Sequence, residues 1–188
     1  MIARIFDILV VVAAAPVVIP AVIVAAILVR LETPGAAIFA QQRVGRDARE
    51  FRCYKVRTMF QGTPNAASHL VSKARVTHVG RILRATKIDE LPQFWNVLLG
   101  EMALVGPRPC LPNQTELVEE RRERGVYGVR PGITGLAQIN QVDMSNPEKL
   151  ARLDAEWIKT RTFLGDIKIL IKTAIGKGSG DRTNCACK

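Results

Sequence analysis

From Ile8 to Val29 the chain carries no charged residue, and Asp7 and Arg30 bracket the run. No other feature restricts the fold so strongly. As one straight helix these residues would span about 33 Å, enough to cross a bilayer's hydrocarbon core. Ala13, Ala14 and Ala15 imitate a secretory cleavage site, but the apolar sequence continues well past them. Pro16 and Pro20 interrupt the run near its middle, where proline removes helix hydrogen bonds and bends the axis. Composition leaves two outcomes, a kinked span or a helix that enters the membrane and turns back. Arg4 and Arg30 lie at opposite ends, so positive charge selects no orientation.

The 188 residues allow one domain with a proper core, and the net charge is +10. Such a charge favours anionic partners: phosphorylated metabolites, nucleic acid or an anionic membrane surface. Aromatic residues make up only 5%, which weakens a base-stacking role, and no nucleic-acid partner is expected. Cys53, Cys110, Cys185 and Cys187 fit neither a zinc site nor a disulfide framework and read as free thiols of a reducing compartment. His69 and His78 read as surface residues.

Thr33-Pro34-Gly35 ends the apolar segment. Ala37 to Arg43 and Glu50 to Met59 alternate in part and carry β-branched or aromatic residues, which predicts a hairpin turning at Val44 to Arg49. Arg43, Arg46, Arg49, Arg52, Lys55 and Arg57 crowd it. They read either as a solvated basic edge or as a cationic wall for a diphosphate or lipid headgroups. Gln61 to Lys73 reads as a surface loop, and Val79 to Ala85 as a short helix with Arg81 and Arg84.

Thr86 to Pro109, TKIDELPQFWNVLLGEMALVGPRP, holds the densest chemistry. Asp89 and Glu90 stand together, Pro92 suits a first helical turn, and apolar residues recur at helical spacing until Gly100. The acidic pair thus falls at a helix N-terminus, where phosphate also binds well. Pro107 and Pro109 brace Arg108. A carboxylate pair, a phosphate-friendly helix end and a held cation suit phosphoryl chemistry; a plain role for the acids in the helix dipole is the competing reading.

Downstream, Asn113 to Arg124 predicts a charged helix whose EERRER run reads as a solvated face without chemistry. In VRPGITGLAQIN, Val129 to Asn140, the glycines allow close approach to a ligand and Arg130 could grip a phosphate; a plain turn competes. Pro147 to Phe163 predicts a helix with Leu150, Leu153, Trp157 and Ile158 as its apolar stripe. Phe163 to Lys177 suits an interfacial helix or a core helix. The tail from Gly178 is expected to be disordered.

Taken in order, RIFDILVVVAAAP, IFAQQRVG, FRCYKVRTM, KIDELPQFWNVLLGEMALVGPRP and VRPGITGLAQIN resemble the bacterial sugar transferases, the monotopic phosphoglycosyl transferases. The chain is similar to the small single-domain type exemplified by bacillosamine-phosphate transferases. That resemblance implies a mainly helical α+β fold. Residues 1–32 would form a re-entrant membrane helix and 33–177 a cytoplasmic catalytic domain with the hairpin and interfacial amphipathic helices, leaving 178–188 as the tail.

The implied reaction moves sugar-1-phosphate from a UDP-sugar to polyprenyl (undecaprenyl) phosphate. It releases UMP and opens glycoconjugate, exopolysaccharide or lipopolysaccharide assembly at the bacterial inner membrane. Asp89 would be the nucleophile and Glu90 the Mg²⁺ ligand. Lys55, Arg57, Arg84, Arg108, Arg130, Gln138 and Asp154 match the family's substrate-site positions. An N-acetylated sugar is the expected donor, with UDP-galactose or UDP-glucose as the alternative, and a homodimer is compatible with an interfacial enzyme.

Two positions depart from the family. Ala15-Pro16 stands where a Ser-Pro pair breaks the membrane helix, so Pro20 would assist the break. Lys87 precedes the acidic pair where small or polar residues with leucine are commoner. A membrane-tethered basic binding module, or an inactive scaffold of the same fold, fits the charge and the apolar segment. Neither explains why DE, LPQ and GPRP occur together.

Overall fold

The computed structural model describes residues 2–63 and 75–176, and the fold is α+β and mainly helical. The part of the Gln61–Lys73 loop beyond residue 63, His69, Cys185, Cys187 and the tail lie outside the described residues.

Helix α1, Ile2–Glu32, is long and apolar enough to cross a membrane. It is continuous across Pro16 and Pro20, both exposed, although each proline removes the N–H that would bond four residues back. Its two ends meet the same body of protein. Near the start, Arg4 donates to the Val97 carbonyl at 2.6 Å, the Asp7 carboxylate accepts from Leu104 N–H, and Val11 joins the main core. Near the finish, Ala25 and Val29 pack with Val56 and Leu83. Between them Val12, Val17, Ile19, Ile23 and Val24 are exposed.

Strands β1 (Ile38–Val44) and β2 (Glu50–Val56) form the expected antiparallel hairpin, with Gln41 opposite Cys53 and Phe39 opposite Lys55. Strand period decides which basic residues turn inward. Arg43, Lys55 and Arg57 are at least partly covered, while Arg46, Arg49 and Arg52 are exposed, so the basic hairpin is a solvated edge only in part.

Helix α2, His78–Thr86, has Thr77 as N-cap, and the Glu32 carboxylate accepts from His78 and Val79 N–H at 2.6 and 3.0 Å. The end of α1 therefore satisfies the orphan donors of α2. Helix α3, Gln93–Leu99, starts after Pro92 and stops at Gly100, whose φ of +83° suits glycine. Asn96, fully buried, pins α3 to β2: its Oδ1 accepts from Tyr54 N–H and its Nδ2 donates to the Arg52 carbonyl.

Two three-residue strands, β3 (Ala103–Val105) and β4 (Gly132–Thr134), pair in parallel. The glycines of VRPGITG serve this contact. A Cβ on Gly132 would stand 2.1 Å from Gly106 N, so here the close approach is backbone to backbone. Helices α4 (Thr115–Glu123), α5 (Leu136–Ile139), α6 (Pro147–Thr160) and α7 (Phe163–Ala174) close the fold. The main core gathers Val11, Phe51, Cys53, Val97, Met102, Leu104, Trp157 and Ile169.

Candidate active site

Lys87 ends α2 in the left-handed conformation, φ 59°, and the chain reverses into a 3-10 turn, Ile88–Glu90. The reversal carries Asp89 and Glu90 inward, and both are 8% exposed. Charged side chains are seldom so covered without partners. Glu90 receives a forked grip from Arg108, whose Nη1 lies 3.3 Å from Oε2 and whose Nη2 bonds Oε1. Lys55 Nζ lies 3.6 Å from the same Oε1. Bidentate guanidinium–carboxylate pairs are among the stronger charge-assisted contacts.

Arg108 is braced from two sides. Arg43 donates Nη1 to the Pro109 carbonyl at 2.9 Å and holds Gln41 Oε1 through Nε and Nη2. Arg121 donates Nη1 to the Arg108 carbonyl at 2.8 Å, and its Nε and Nη2 reach Asp154 Oδ2 at 3.0 and 2.6 Å. Arg121 is 1% exposed, which corrects the reading of EERRER as wholly solvated. Burial opposes its charge, and the Asp154 carboxylate more than offsets that, so the guanidinium sits above its ordinary pKa.

Asp89 lines a cavity of about 300 Å³ together with Gln41, Arg43, Lys55, Arg57, Thr58 and Arg84. Arg57 reaches across to the exit of α1, donating to the Pro34 and Thr33 carbonyls and to Thr33 Oγ1. Arg84 Nε donates to Thr58 Oγ1 at 2.8 Å. Each guanidinium keeps one buried nitrogen with no hydrogen-bond partner among the described residues, Arg57 Nε and Arg84 Nη1. Buried N–H donors without partners are costly, and here both belong to residues that line one cavity. Cys53 adjoins this charge; burial pushes its thiol up, against Lys55, Arg43 and Arg108.

On the far side of Glu90 lies a second cavity of about 140 Å³, lined by Lys87, Leu91, Phe94, Ile133, Thr134, Gln138 and Thr173. Gln138 donates Nε2 to the Ile133 carbonyl, and its buried Oε1 has no partner among the described residues.

The residues expected at the site therefore separate. Lys55, Arg57, Arg84 and Arg108 converge on Asp89 and Glu90. Gln138 approaches from the Glu90 side. Asp154 acts through Arg121. Arg130 sits elsewhere: its Nε donates to the Gly100 carbonyl at 2.7 Å, at the opposite end of α3 from the acids. Burial, with Arg4 and Arg46 nearby, lowers its pKa. The sequence reading had not placed Gln41 or Arg121 at the site. A polar residue two positions from Arg43 was the signal for Gln41. A lone arginine in a dense charge run gives none.

Comparison with known proteins gives the family of the chain. A UDP-N-acetylgalactosamine-undecaprenyl-phosphate N-acetylgalactosaminephosphotransferase of Aeromonas hydrophila is 39% identical over 176 residues, 89% of this chain and 41% of the relative. A UDP-glucose:undecaprenyl-phosphate glucose-1-phosphate transferase of Caulobacter vibrioides is 39% identical over 165 residues, 82% of this chain and 61% of the relative. The uncharacterized sugar transferase EpsL of Bacillus subtilis is 41% identical over 145 residues, 77% of this chain and 71% of the relative. The chain thus spans less than two thirds of the length of the first two. The family model for bacterial sugar transferases matches residues 1–177, and the chain belongs to that family.

Proposed function

We propose that this protein transfers sugar-1-phosphate from a UDP-sugar to polyprenyl (undecaprenyl) phosphate and releases UMP. One observation carries the reading: the cationic residues Lys55, Arg57 and Arg84 line the same cavity as Asp89. A diphosphate supplies the anionic acceptor oxygens that such a cationic lining binds.

An Asp89 carboxylate oxygen attacks the phosphorus attached to the sugar. A new O–P bond forms, the bond to the bridging oxygen breaks, and UMP leaves with that electron pair. The phospho-Asp89 is then attacked by a phosphate oxygen of the polyprenyl carrier. This regenerates the carboxylate and yields the polyprenyl diphosphate sugar. Arg57, Arg84 and Lys55 lower the repulsion between carboxylate and diphosphate, and Arg108 holds Glu90 beside the reacting centre.

The donor set fits Mg²⁺ of the kind that arrives with phosphates. Adjacent carboxylates supply hard oxygens, and among the described residues no cluster of three metal-binding side chains forms a protein cage. Glu90 would hold the ion, with Asp89 adjacent. Both Glu90 oxygens meet Arg108 yet retain lone pairs. When bound, the ion neutralises diphosphate charge.

The membrane arrangement in this reading rests on α1. A helix that crossed the bilayer would carry one end to the far side, whereas both ends of α1 pack on one domain. That supports a helix that enters and returns on one side of the membrane, with Pro16 and Pro20 easing the bend; we assign that side to the cytoplasmic face of the inner membrane from the resemblance to the family. Exposed Trp95, Leu98 and Leu99 on α3 support an interfacial seat for the domain.

For the donor we favour an N-acetylated sugar, because the Aeromonas relative, matched over 89% of this chain, is named for one. The Caulobacter relative is named for glucose at the same identity, which keeps UDP-glucose in contention. The test is UMP release by protein in detergent with undecaprenyl phosphate, Mg²⁺ and a panel of UDP-sugars. The account expects release with UDP-N-acetylhexosamines and about a thousandfold loss in Asp89→Asn. Release with UDP-glucose or UDP-galactose alone would overturn the donor; no release with any sugar would overturn the reaction.

A further inference from the structure

At the corner between α6 and α7, a cavity of about 200 Å³ lies apart from Asp89 and Glu90. Trp157, Arg161, Asp166, Lys168 and Lys172 are among its lining residues. Asp166 is its sole acid, and both of its oxygens are engaged: Oδ1 accepts from Trp157 Nε1 at 3.0 Å and Oδ2 from Arg161 Nε at 2.9 Å. Arg161 also lies over the Trp157 ring, 4.7 Å from its centre. The corner is thereby rigid and its one negative charge is neutralised. Lys168 and Lys172 are exposed and form no ion pair among the described residues, so two positive charges remain uncompensated at the cavity.

The helix that carries the lysines has a second exposed stripe. At about 100° per residue, Leu164, Ile171 and Ile175 share one narrow arc, and Lys168 and Lys172 form its shoulder. The three apolar residues are 69, 56 and 69% exposed. An apolar stripe shouldered by lysines suits a helix lying in the headgroup plane, with its cations at phosphate depth.

We propose that this corner is a binding site for the phosphodiester headgroup of an anionic membrane phospholipid, separate from the site of the reacting polyprenyl phosphate. The proposal rests on the membrane-bound reading above. Charge complementarity selects the occupant, because the cavity offers cations and no uncompensated acid. The adjoining apolar stripe selects a lipid over a free phosphate ester. The carrier lipid is assigned elsewhere because its phosphate must reach Asp89.

The test is flotation of the full-length protein on vesicles of phosphatidylcholine alone or mixed with phosphatidylglycerol. Wild type should bind the mixed vesicles about tenfold more tightly. The double variant K168Q/K172Q should lose most of that preference, while K149Q/R152Q, with the same charge removed from the exposed face of α6, should keep it. UMP release by K168Q/K172Q in neutral detergent should match wild type. Equal losses in both double variants would show diffuse attraction only and overturn the site, as would an unchanged preference in K168Q/K172Q. Full competition by soluble glycerol phosphate would overturn the lipid assignment. Failure to bind even phosphatidylcholine vesicles would overturn the membrane reading, and this site with it.

Discussion

The two ends of α3 share seven residues and little else. Before its N-terminus stand Asp89 and Glu90, met by Arg108 and Lys55 and facing cavities. At its C-terminus Arg4 and Arg130 donate to the carbonyls of Val97, Leu98 and Gly100. Anions at the N-terminal end and cations at the C-terminal end both suit the helix dipole. The proposed chemistry lies at one end only. The C-terminal arginines donate to backbone carbonyls, whereas Lys55, Arg57 and Arg84 line a cavity with Asp89. The contrast teaches that an arginine in a family motif is not thereby a substrate contact; what it bonds in the fold decides.

The largest effect should come from the buried pair that backs the acidic end. Removing one partner, as in Arg121→Met, strands the Asp154 carboxylate and should cost about 3–5 kcal/mol in denaturant unfolding. Pairing it with Asp154→Leu should restore part of that loss. A cost near zero would mean that Arg121 does not hold the Arg108 segment.

Next comes Arg84→Met, which removes a cavity donor. It should lower kcat/KM for the UDP-sugar by about a hundredfold while leaving the unfolding midpoint nearly unchanged. Arg130→Met should invert that pattern, losing about 1 kcal/mol of stability with KM for the UDP-sugar within about twofold. A large KM rise in Arg130→Met would break the comparison between the two ends. The smallest effect is expected at Lys87. Its left-handed backbone costs a non-glycine residue about 1 kcal/mol, so Lys87→Gly should be neutral or slightly stabilising in the same unfolding assay.

Local signals carried much of this layout. Partial alternation gave the hairpin, Pro92 and Gly100 gave the bounds of α3, and period two sorted inward from outward basic residues once the strands were placed. The parallel pairing of β3 with β4 was not legible, because three-residue strands carry no periodicity and their partners lie 29 positions apart. Gly132 was informative but ambiguous, since close approach to a ligand and to a backbone demand the same missing Cβ. Arg121 was hidden among residues that are solvated, Arg122 and Glu123 among them. On α1, Pro16 and Pro20 stand inside a continuous helix where the sequence alone implied a sharper interruption.

The central claim is that Asp89, in the cavity lined also by Lys55, Arg57 and Arg84, takes up the sugar phosphate. The direct measurement is intact-protein mass after incubation with the UDP-sugar and Mg²⁺ in the absence of polyprenyl phosphate. The account predicts an added mass equal to one sugar phosphate, discharged when polyprenyl phosphate is supplied and absent in Asp89→Asn. Turnover to product with no such adduct under single-turnover conditions, or an adduct that persists in Asp89→Asn, would contradict it.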